Sequence, residues 1–450
     1  MKSIVRIGSG SAYAEDDLMP ASDLAEKGEL DYICFDSLAE RTLALAQMRK
    51  INNPQLGYDL RLEELVKTFA PYVEKGKLKV IGNMGVANPI AAVEKAVEIC
   101  KQLGLRNVKF ASITGDDISD KIESIDPILW ETGKRLSQLS GKVVSANAYI
   151  GAEPIVEALE KGANFIIGGR LADPSLYIGP MAYEFNWSLN DWDKIGQGTL
   201  IAHLLECGTH VTGGNFADPP YRVVPELDHL GLPIAEIEPS GNAIITKLDD
   251  TGGMVTAGTI KAQMVYEVHD PEQYLTPDVT CNMRNAKVLE EIKDRVAVWG
   301  ATGQKWPDTL KVLVGVFEGY IGEGEVSFAG PGASERAKLS REILYKRINR
   351  RYGEKIEELR IDIIGLDSIH GSATSLLNET LHDVRVRVAA RTHDKNIAEA
   401  IGKEVEWQFF GPSGGGGFRK YVREVLAMYS TLVPRNEFQY KVEVKEVQYV

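Results

Sequence analysis

Residues 143–175 read VVSANAYIGAEPIVEALEKGANFIIGGRLADPS, and this stretch decides the fold. Its two apolar runs, residues 143–146 and 165–167, have the length and composition of buried strands. Between them, apolar residues recur at helical spacing, at Ile155, Ala158 and Leu159. Strand, helix and strand in this order predict a βαβ unit, which places its two strands parallel in one sheet.

The chain before this unit repeats the same alternation. Four further apolar runs predict strands at residues 3–7, 32–35, 79–81 and 108–112. The intervening segments have helical periodicity, most clearly at residues 62–75, 89–103 and 127–139. Six strands that alternate with helices predict an α/β domain over residues 1–220, with a mostly parallel, doubly wound sheet. A barrel-like N-terminal half is the alternative, with a seventh strand beginning at Val211.

The pattern changes after the Asp-Pro-Pro sequence at residues 218–220. A hairpin is predicted at residues 234–247, strand-rich segments follow, and a long amphipathic helix covers residues 333–351. We therefore predict a second, α+β domain over residues 221–450. Its Gly-rich loop at residues 411–417 could bind an anion through backbone amides or serve as a hinge.

The composition argues against several classes of protein. A net charge of −13 and a pI near 5.2 do not suit a nucleic-acid partner, which calls for a basic face. The four cysteines lie far apart without a CxxC pair, which argues against an iron–sulfur cluster or a zinc knuckle. Apolar runs of membrane-spanning length and a signal peptide are both missing, so we expect a cytoplasmic protein without membrane contact.

The first predicted strand ends in Gly8-Ser9-Gly10, which resembles the start of a dinucleotide-binding loop. Tyr13 stands where the third glycine of the GxGxxG motif belongs, and no clear helix follows at once. The sequence therefore argues against NAD as a cofactor, and the glycines fit a simple turn at the end of a strand.

Polar residues follow the predicted strands at equivalent positions. They are Asp36, Asn83, Asp116 and Asn147. Ligands of open α/β sheets bind outside the carboxyl ends of the strands, so we expect Asp36, Asn83 and Asn147 to orient a substrate. Asp and Asn also favour turns and helix caps, which is the structural alternative for each of them.

Arg170 follows the glycine pair that ends the βαβ unit, and Asp173 lies three residues further on. A guanidinium binds a carboxylate or phosphate well, because its donors lie in one plane. An ion pair between Arg170 and Asp173 alone is the alternative. We predict that both residues belong to a substrate site.

His203, Glu206 and Cys207 lie three and four residues apart on a predicted helix and therefore share one face. His203 and Glu206 could transfer protons, and the three side chains could hold a metal. A buried histidine with a satisfying carboxylate is the structural alternative. Thr212 and Asn215 lie in a small polar loop after this helix, and we include both in the predicted substrate site.

Four longer segments carry a resemblance to a known family. They are IGGRLADPS (167–175), GTLIAHLLECGTHVTGGNFAD (198–218), TGGMVTAGTIKAQMVYEVHDPEQYLTPDV (251–279) and GPSGGGGFRKYVREVL (411–426). Together they resemble the acyclic terpene utilisation family of the AtuA type, from the first strand to about Pro434. The resemblance implies a role in the bacterial breakdown of terpenes, branched carboxylic acids or their CoA thioesters. It implies no settled reaction.

Long members of that family have an additional small C-terminal domain, for which this chain has no room before Val450. The resemblance therefore implies a small, separately encoded partner subunit. We also expect a homo-oligomer.

These observations predict a catabolic enzyme that acts on a branched carboxylic acid or its CoA thioester, as a hydratase or dehydratase. Arg170 would hold the carboxylate or phosphate, and His203 with Glu206 would transfer protons. The chemistry would need either no cofactor or a divalent metal. The alternative from another class is a non-catalytic ligand-binding or assembly subunit of a degradation complex.

Overall fold

The computed structural model describes residues 2–373 and 381–448. The chain divides into two compact units. Unit 1 is formed by Met1–Gln138, Val144–Gly315 and Met428–Val450, and unit 2 by Leu139–Val143 and Val316–Ala427. The units do not part at residue 220, because the chain after that residue adds strands to the sheet that the first half begins.

The strands, numbered in chain order, are β1 (Val5–Ser11), β2 (Tyr32–Phe35), β3 (Lys79–Gly82), β4 (Lys109–Thr114), β5 (Lys142–Ala148), β6 (Phe165–Gly168), β7 (Ile234–Ile237), β8 (Ala243–Thr246), β9 (Tyr274–Leu275), β10 (Thr280–Asn282), β11 (Lys287–Ile292), β12 (Arg295–Trp299), β13 (Thr302–Gln304), β14 (Thr309–Ala329), β15 (Glu358–Ile364), β16 (Asp383–Thr392), β17 (Gly415–Pro434) and β18 (Lys441–Glu446).

The α-helices, also in chain order, are α1 (Met19–Lys27), α2 (Glu40–Asn52), α3 (Leu62–Glu74), α4 (Pro89–Gln102), α5 (Ile122–Ile125), α6 (Glu153–Glu160), α7 (Ser175–Phe185), α8 (Trp192–Glu206), α9 (Ala257–Met264), α10 (Ala333–Tyr352) and α11 (Lys395–Glu406).

Unit 1 is built on a mixed sheet in the order β11-β12-β8-β7-β1-β2-β3-β6-β4-β18. The five central strands β1, β2, β3, β6 and β4 are parallel to one another. β7 pairs antiparallel with β1 on one side, and β18 pairs antiparallel with β4 on the other. The sheet is therefore open, with β11 and β18 at its edges. The predicted α/β class is confirmed, but the sheet is mixed rather than mostly parallel, because antiparallel strands from the second half of the chain join it.

The direction of each crossover places the helices on the two faces of the sheet. The chain moves one way from β1 through β2 and β3 to β4, and then returns through β6 to β7. Because crossovers between parallel strands are right-handed, α6, on the return from β4 to β6, lies on the face opposite to the helices of the outward path. The packing agrees, since Ile33 and Phe35 join the core of α1, α3 and α4. The thiol of Cys34, which points the other way, donates to Leu176 O of α7 at 3.3 Å.

The predicted βαβ unit does not form a pair of parallel strands, and this part of the prediction is wrong. β5 pairs with β14, whereas β6 lies between β3 and β4. Residues 127–139, predicted as a helix, form irregular chain and the short 3-10 helix Leu136–Gln138. No long helix lies between β4 and β5 in the described structure, and the apolar run of β5 pairs with β14 rather than with the parallel strands. Val211, the predicted start of a seventh strand, lies in a turn instead.

Unit 2 has the strand and helix order βαββαβ, from β14 through α10, β15, β16 and α11 to β17. Its sheet order, β15-β16-β14-β17, is that of a ferredoxin-like fold. Both helices pack on β16, and the apolar core between sheet and helices includes Val386, Val388, Leu344 and Ile401. This segment is α+β, in agreement with the general class predicted for the second half.

The predicted Gly-rich loop is a loop only as far as Gly414, because β17 begins at Gly415. Gly411 and Gly414 have φ angles of +148° and +78°, which residues other than glycine rarely adopt. These two glycines therefore allow the backbone conformation that the chain adopts just before β17.

We predict that Gly322→Ala destabilises unit 2. A Cβ atom at Gly322 would lie 2.7 Å from the Cα atom of Ala398 and closer still to its carbonyl oxygen, and backbone cannot move aside cheaply. The overpacking should lower the free energy of unfolding by about 1–3 kcal/mol, measured by thermal unfolding with circular dichroism. Gly416→Ala is the matched control, since a Cβ atom there meets open space. Equal melting of the two variants would contradict the prediction.

Candidate functional site

The carboxyl ends of the parallel strands carry a cluster of buried polar side chains in unit 1. Asp36 follows β2, Asn83 follows β3, Asp116 follows β4, and Arg170 follows β6. Each of these four residues is at most 5% exposed. Burial of so many polar groups is costly unless each has a partner, so their hydrogen bonds define the site.

Asp36 and Asn83 form the first pair of this cluster. The amide of Asn83 donates from Nδ2 to Asp36 Oδ1 at 2.7 Å, and Ser37 N donates to Asn83 Oδ1 at 2.6 Å. Asp36 Oδ1 also accepts from Leu38 N at 3.0 Å. The two side chains therefore hold each other and the turn after β2, which fixes the carboxyl group of Asp36.

Asp116 and Asn147 form a second pair of the same kind. Asn147 Nδ2 donates to Asp116 Oδ2 at 2.8 Å, and the backbone N–H of Arg170 donates to the same oxygen at 2.9 Å. The side chain of Asn147 leaves its Oδ1 atom buried without a partner among the described residues. Asp116 thus ties the ends of β4, β5 and β6 together, although β5 lies outside the parallel block.

Arg170 lies 3% exposed beside this second pair. Its Nη2 donates to Asp173 Oδ1 at 2.7 Å, and its Cζ lies 3.9 Å from the centre of the Tyr149 ring. The ion pair with Asp173, the alternative predicted from the sequence, is therefore formed. It does not satisfy the guanidinium, because Nε and Nη1 are buried without a partner in the described structure.

His203 and Glu206 form a buried pair at the end of α8. The two side chains are joined by a hydrogen bond of 2.6 Å between His203 Nδ1 and Glu206 Oε1. His203 Nε2 lies 2.9 Å from the carbonyl oxygen of Gln263, and a carbonyl can only accept, so this nitrogen carries a proton. Both ring nitrogens are therefore occupied. Glu206 Oε2, by contrast, is buried without a partner in the described part of the chain.

Electrostatic interactions connect this pair to the strand ends. The charge of Asp173 acts on both Asp36 and Glu206, and Arg170 acts on Asp36. Burial raises the pKa of Glu206, and the neighbouring His203 opposes that shift only in part. For His203 itself, burial lowers the pKa, but the charge and hydrogen bond of Glu206 and the hydrogen bond to Gln263 together raise it, so the net shift is upward. The cluster thus combines a cation, Arg170, that has donors without a partner in the described structure, and a carboxyl group, Glu206, whose raised pKa favours the protonated form.

Seven of the nine predicted site residues lie in this cluster. They are Asp36, Asn83, Asn147, Arg170, Asp173, His203 and Glu206. Thr212 lies apart from it, since its hydroxyl donates to Gly231 O at 2.7 Å and to Thr209 O at 3.1 Å within a loop. Asn215 is exposed, and no described hydrogen bond joins it to the cluster.

Two further residues belong to the cluster and carry no signal in the sequence. Tyr177 is fully buried in α7, and its hydroxyl lies 3.3 Å from Ser9 Oγ. The side chain also interacts electrostatically with Asp36 and Glu206. Gln263 of α9 forms two hydrogen bonds with His203. Its carbonyl oxygen accepts from His203 Nε2, and its side-chain Nε2 donates to His203 O at 3.0 Å. Tyr177 lies in an apolar helix, so its residue type does not indicate a place in the cluster. Gln263 lies 60 residues from His203, so sequence spacing does not indicate their hydrogen bonds.

The glycines of the first loop have a packing role. Gly8 and Gly10 lie within β1, where a Cβ atom would come within 2.7 Å of Leu30 Cδ1 and Phe35 Cδ1 respectively. Among the described residues, no three His, Cys, Asp or Glu side chains are grouped so that they could bind a metal ion. The described helices likewise include none with the length and apolarity needed to span a membrane.

We predict a pH dependence of stability that Asp36→Asn removes. Burial raises the pKa of Asp36 well above its usual range, Asp173 adds to the shift, and Arg170 and the bonds from Asn83 and Leu38 oppose it. A raised pKa in the folded state means that stability is complete below the unfolded pKa, near 4, and is lost as pH rises through the folded value. Asp36→Asn keeps the Oδ1 acceptor and cannot ionise.

Urea unfolding at about pH 5 and about pH 8 checks this expectation. The variant should gain stability relative to the wild type as the pH rises between these values. A difference between the two proteins that does not change with pH would show that the Asp36 carboxyl group titrates normally.

Comparison with known proteins gives the family. A family model described as "Acyclic terpene utilisation family protein AtuA" matches residues 5–444. A search of curated proteins finds no match. The matched range runs from the start of β1 into β18 and contains the whole polar cluster, from Asp36 to Gln263. This chain therefore belongs to the acyclic terpene utilisation family of the AtuA type.

Proposed function

We propose that this chain is an enzyme that adds water to, or removes it from, a branched carboxylic acid or its thioester. Membership of a family linked to acyclic terpene utilisation supports a catabolic role. The observation that carries the proposal is the buried Arg170, which has unpartnered donors in a cluster that also holds Glu206 with an unpartnered oxygen. A cation that binds an anion near a carboxyl group that can move a proton is what such a reaction requires.

In this proposal Arg170 binds the negatively charged end of the substrate. Tyr149 stacks on the guanidinium and Asp173 holds one of its nitrogens, so the plane of the group is fixed before the substrate arrives. Preorganised donors gain affinity because little side-chain entropy is lost on binding. Nε and Nη1 remain to donate to a carboxylate or to a thioester carbonyl.

Glu206 is the proposed acid and base, and His203 positions it. In a dehydration, the Glu206 carboxylate takes a proton from the carbon next to the carbonyl, and the electrons of that C–H bond form the double bond. The carbon–oxygen bond of the neighbouring carbon then breaks, and Glu206 gives its proton to the departing hydroxyl, which leaves as water. His203 cannot do this itself, because both of its nitrogens already have protein partners.

The proposed function is tested by incubation of the purified chain in D₂O with branched 3-hydroxy acids, as free acids and as CoA thioesters. Mass spectrometry detects loss of water and deuterium on the carbon next to the carbonyl. We expect both signals with at least one substrate of the panel. Thermal stabilisation by a substrate without either signal would overturn the enzyme proposal in favour of a ligand-binding subunit.

A further inference from the structure

Unit 1 contains a cavity that no residue of the polar cluster lines. Its volume is about 300 Å³, at the lower end of the range for small-molecule sites. Its aromatic wall is formed by Trp306, Phe438 and Tyr440. Ile150 and Leu310 contribute aliphatic surface, and both are almost fully buried. The cavity is therefore lined mainly by side chains that gain from contact with an apolar group.

The charged groups at this cavity are already engaged with the protein. Arg435 donates from Nε to Pro307 O at 2.8 Å and from Nη2 to Pro277 O. Asp278 accepts from Ala152 N at 2.7 Å and from the hydroxyl of Ser175 at 2.5 Å. In contrast to Arg170, the side chain of Arg435 leaves no buried nitrogen without a partner in the described structure. A polar ligand would have to compete for these groups.

The balance of charge disfavours an anion here. The guanidinium of Arg435 interacts with three carboxylates, those of Asp278, Glu153 and Asp308. Glu153 also faces the cavity and interacts with Tyr440 together with Glu157. Asp308 and Glu157 have their own lysine partners. Among the residues that line the cavity, the two carboxylates of Glu153 and Asp278 still outnumber the one cation, Arg435, so a phosphate or carboxylate would meet net repulsion.

From these observations we propose that the cavity bounded by Trp306, Phe438 and Tyr440 binds an uncharged aliphatic chain and rejects an anionic head group. Satisfied polar groups, apolar walls and excess carboxylates all select against a charged anion and for a hydrocarbon. The site is distinct from the Arg170 cluster, whose unmet donors select for an anion. The inference does not depend on the proposed reaction.

The test uses probes that share one chain and differ in their head groups. Tryptophan emission of the full chain is titrated with 1-octanol, octanoate and octylammonium. We expect a saturable change with 1-octanol and octylammonium, and affinity for octanoate at least about fivefold weaker. Octanoate that binds as tightly as 1-octanol would overturn the proposal, as would the absence of any saturable change.

Variants assign the signal to the cavity. Trp306→Phe should abolish the emission change, and Phe438→Ala should weaken 1-octanol binding roughly threefold to tenfold. Trp130→Phe is the control, because Trp130 is an exposed tryptophan of unit 1 that lies outside the cavity lining. A signal that survives Trp306→Phe, or that disappears in Arg170→Ala, would place the ligand elsewhere and refute the proposal.

Discussion

Replacement of Glu206 by Gln is expected to lower turnover by roughly 10²-fold or more on the substrate identified in D₂O. The amide keeps the shape of the side chain and the contact of Oε1 with His203, but it can no longer take or give a proton. Glu184→Gln is the control, since Glu184 is also a carboxylate of unit 1 with a side chain that is only 14% exposed, and it accepts from Tyr32 at 2.6 Å. Its turnover should stay within about twofold of the wild type.

His203→Asn separates a positioning role from a direct one. The charge of His203 lowers the pKa of Glu206, so its removal should move the acidic limb of the pH–rate profile to higher pH. A double variant with Glu206→Gln should lose little beyond the worse single variant, because the two side chains act as one unit. A folded Glu206→Gln protein with wild-type turnover would return this pair to a purely structural role.

Replacement of Arg170 by Ala is expected to weaken binding of a short branched carboxylate such as isovalerate by about 10-fold to 150-fold. This range corresponds to about 1.5–3 kcal/mol for a hydrogen bond to a charged group. Arg170→Lys should recover only part of the affinity, since an ammonium cannot keep the planar stack on Tyr149. Isothermal titration calorimetry measures all three proteins.

Asp173→Asn distinguishes an anion site from a mere ion pair. It breaks the charged contact with Arg170 Nη2 and leaves Nε and Nη1 in place, so isovalerate affinity should fall much less than in Arg170→Ala. If both variants lose the same stability and neither changes the affinity, the ion pair is the only role of Arg170. Thermal unfolding in the absence of ligand provides the comparison of stability.

The sequence predicts the parallel block well, because its strands are buried on both faces and read as continuous apolar runs. Ile33, Cys34 and Phe35 are all fully buried, as a strand covered by helices on both sides requires. The same signal fails for β5, since an apolar run shows that a segment is buried and says nothing of its partner. The pairing of β5 with β14 joins residues far apart in the chain, and only the folded sheet brings them together.

The polar cluster is predictable to a similar extent and for a similar reason. The carboxyl ends of parallel strands meet at one edge, so Asp36, Asn83 and Arg170 must lie near one another once the strands are known. Thr212 follows a helix rather than a strand, and its hydroxyl is used by the loop around it. The occupation of His203 Nε2 depends on Gln263, which the helical spacing of His203 and Glu206 cannot show.

The path of the chain through the two units limits how the protein can be shortened. Unit 2 is nearly one continuous segment, whereas unit 1 resumes at Met428 after unit 2 is complete. A version cut after Gly315 would lose β18 and leave the edge of β4 that faces it unpaired along Lys109–Thr114. An unpaired edge of this kind invites pairing between molecules, so such a fragment would tend to aggregate. Isolation of unit 1 therefore needs the segment from β18 to be kept and rejoined, with unit 2 removed as an internal deletion.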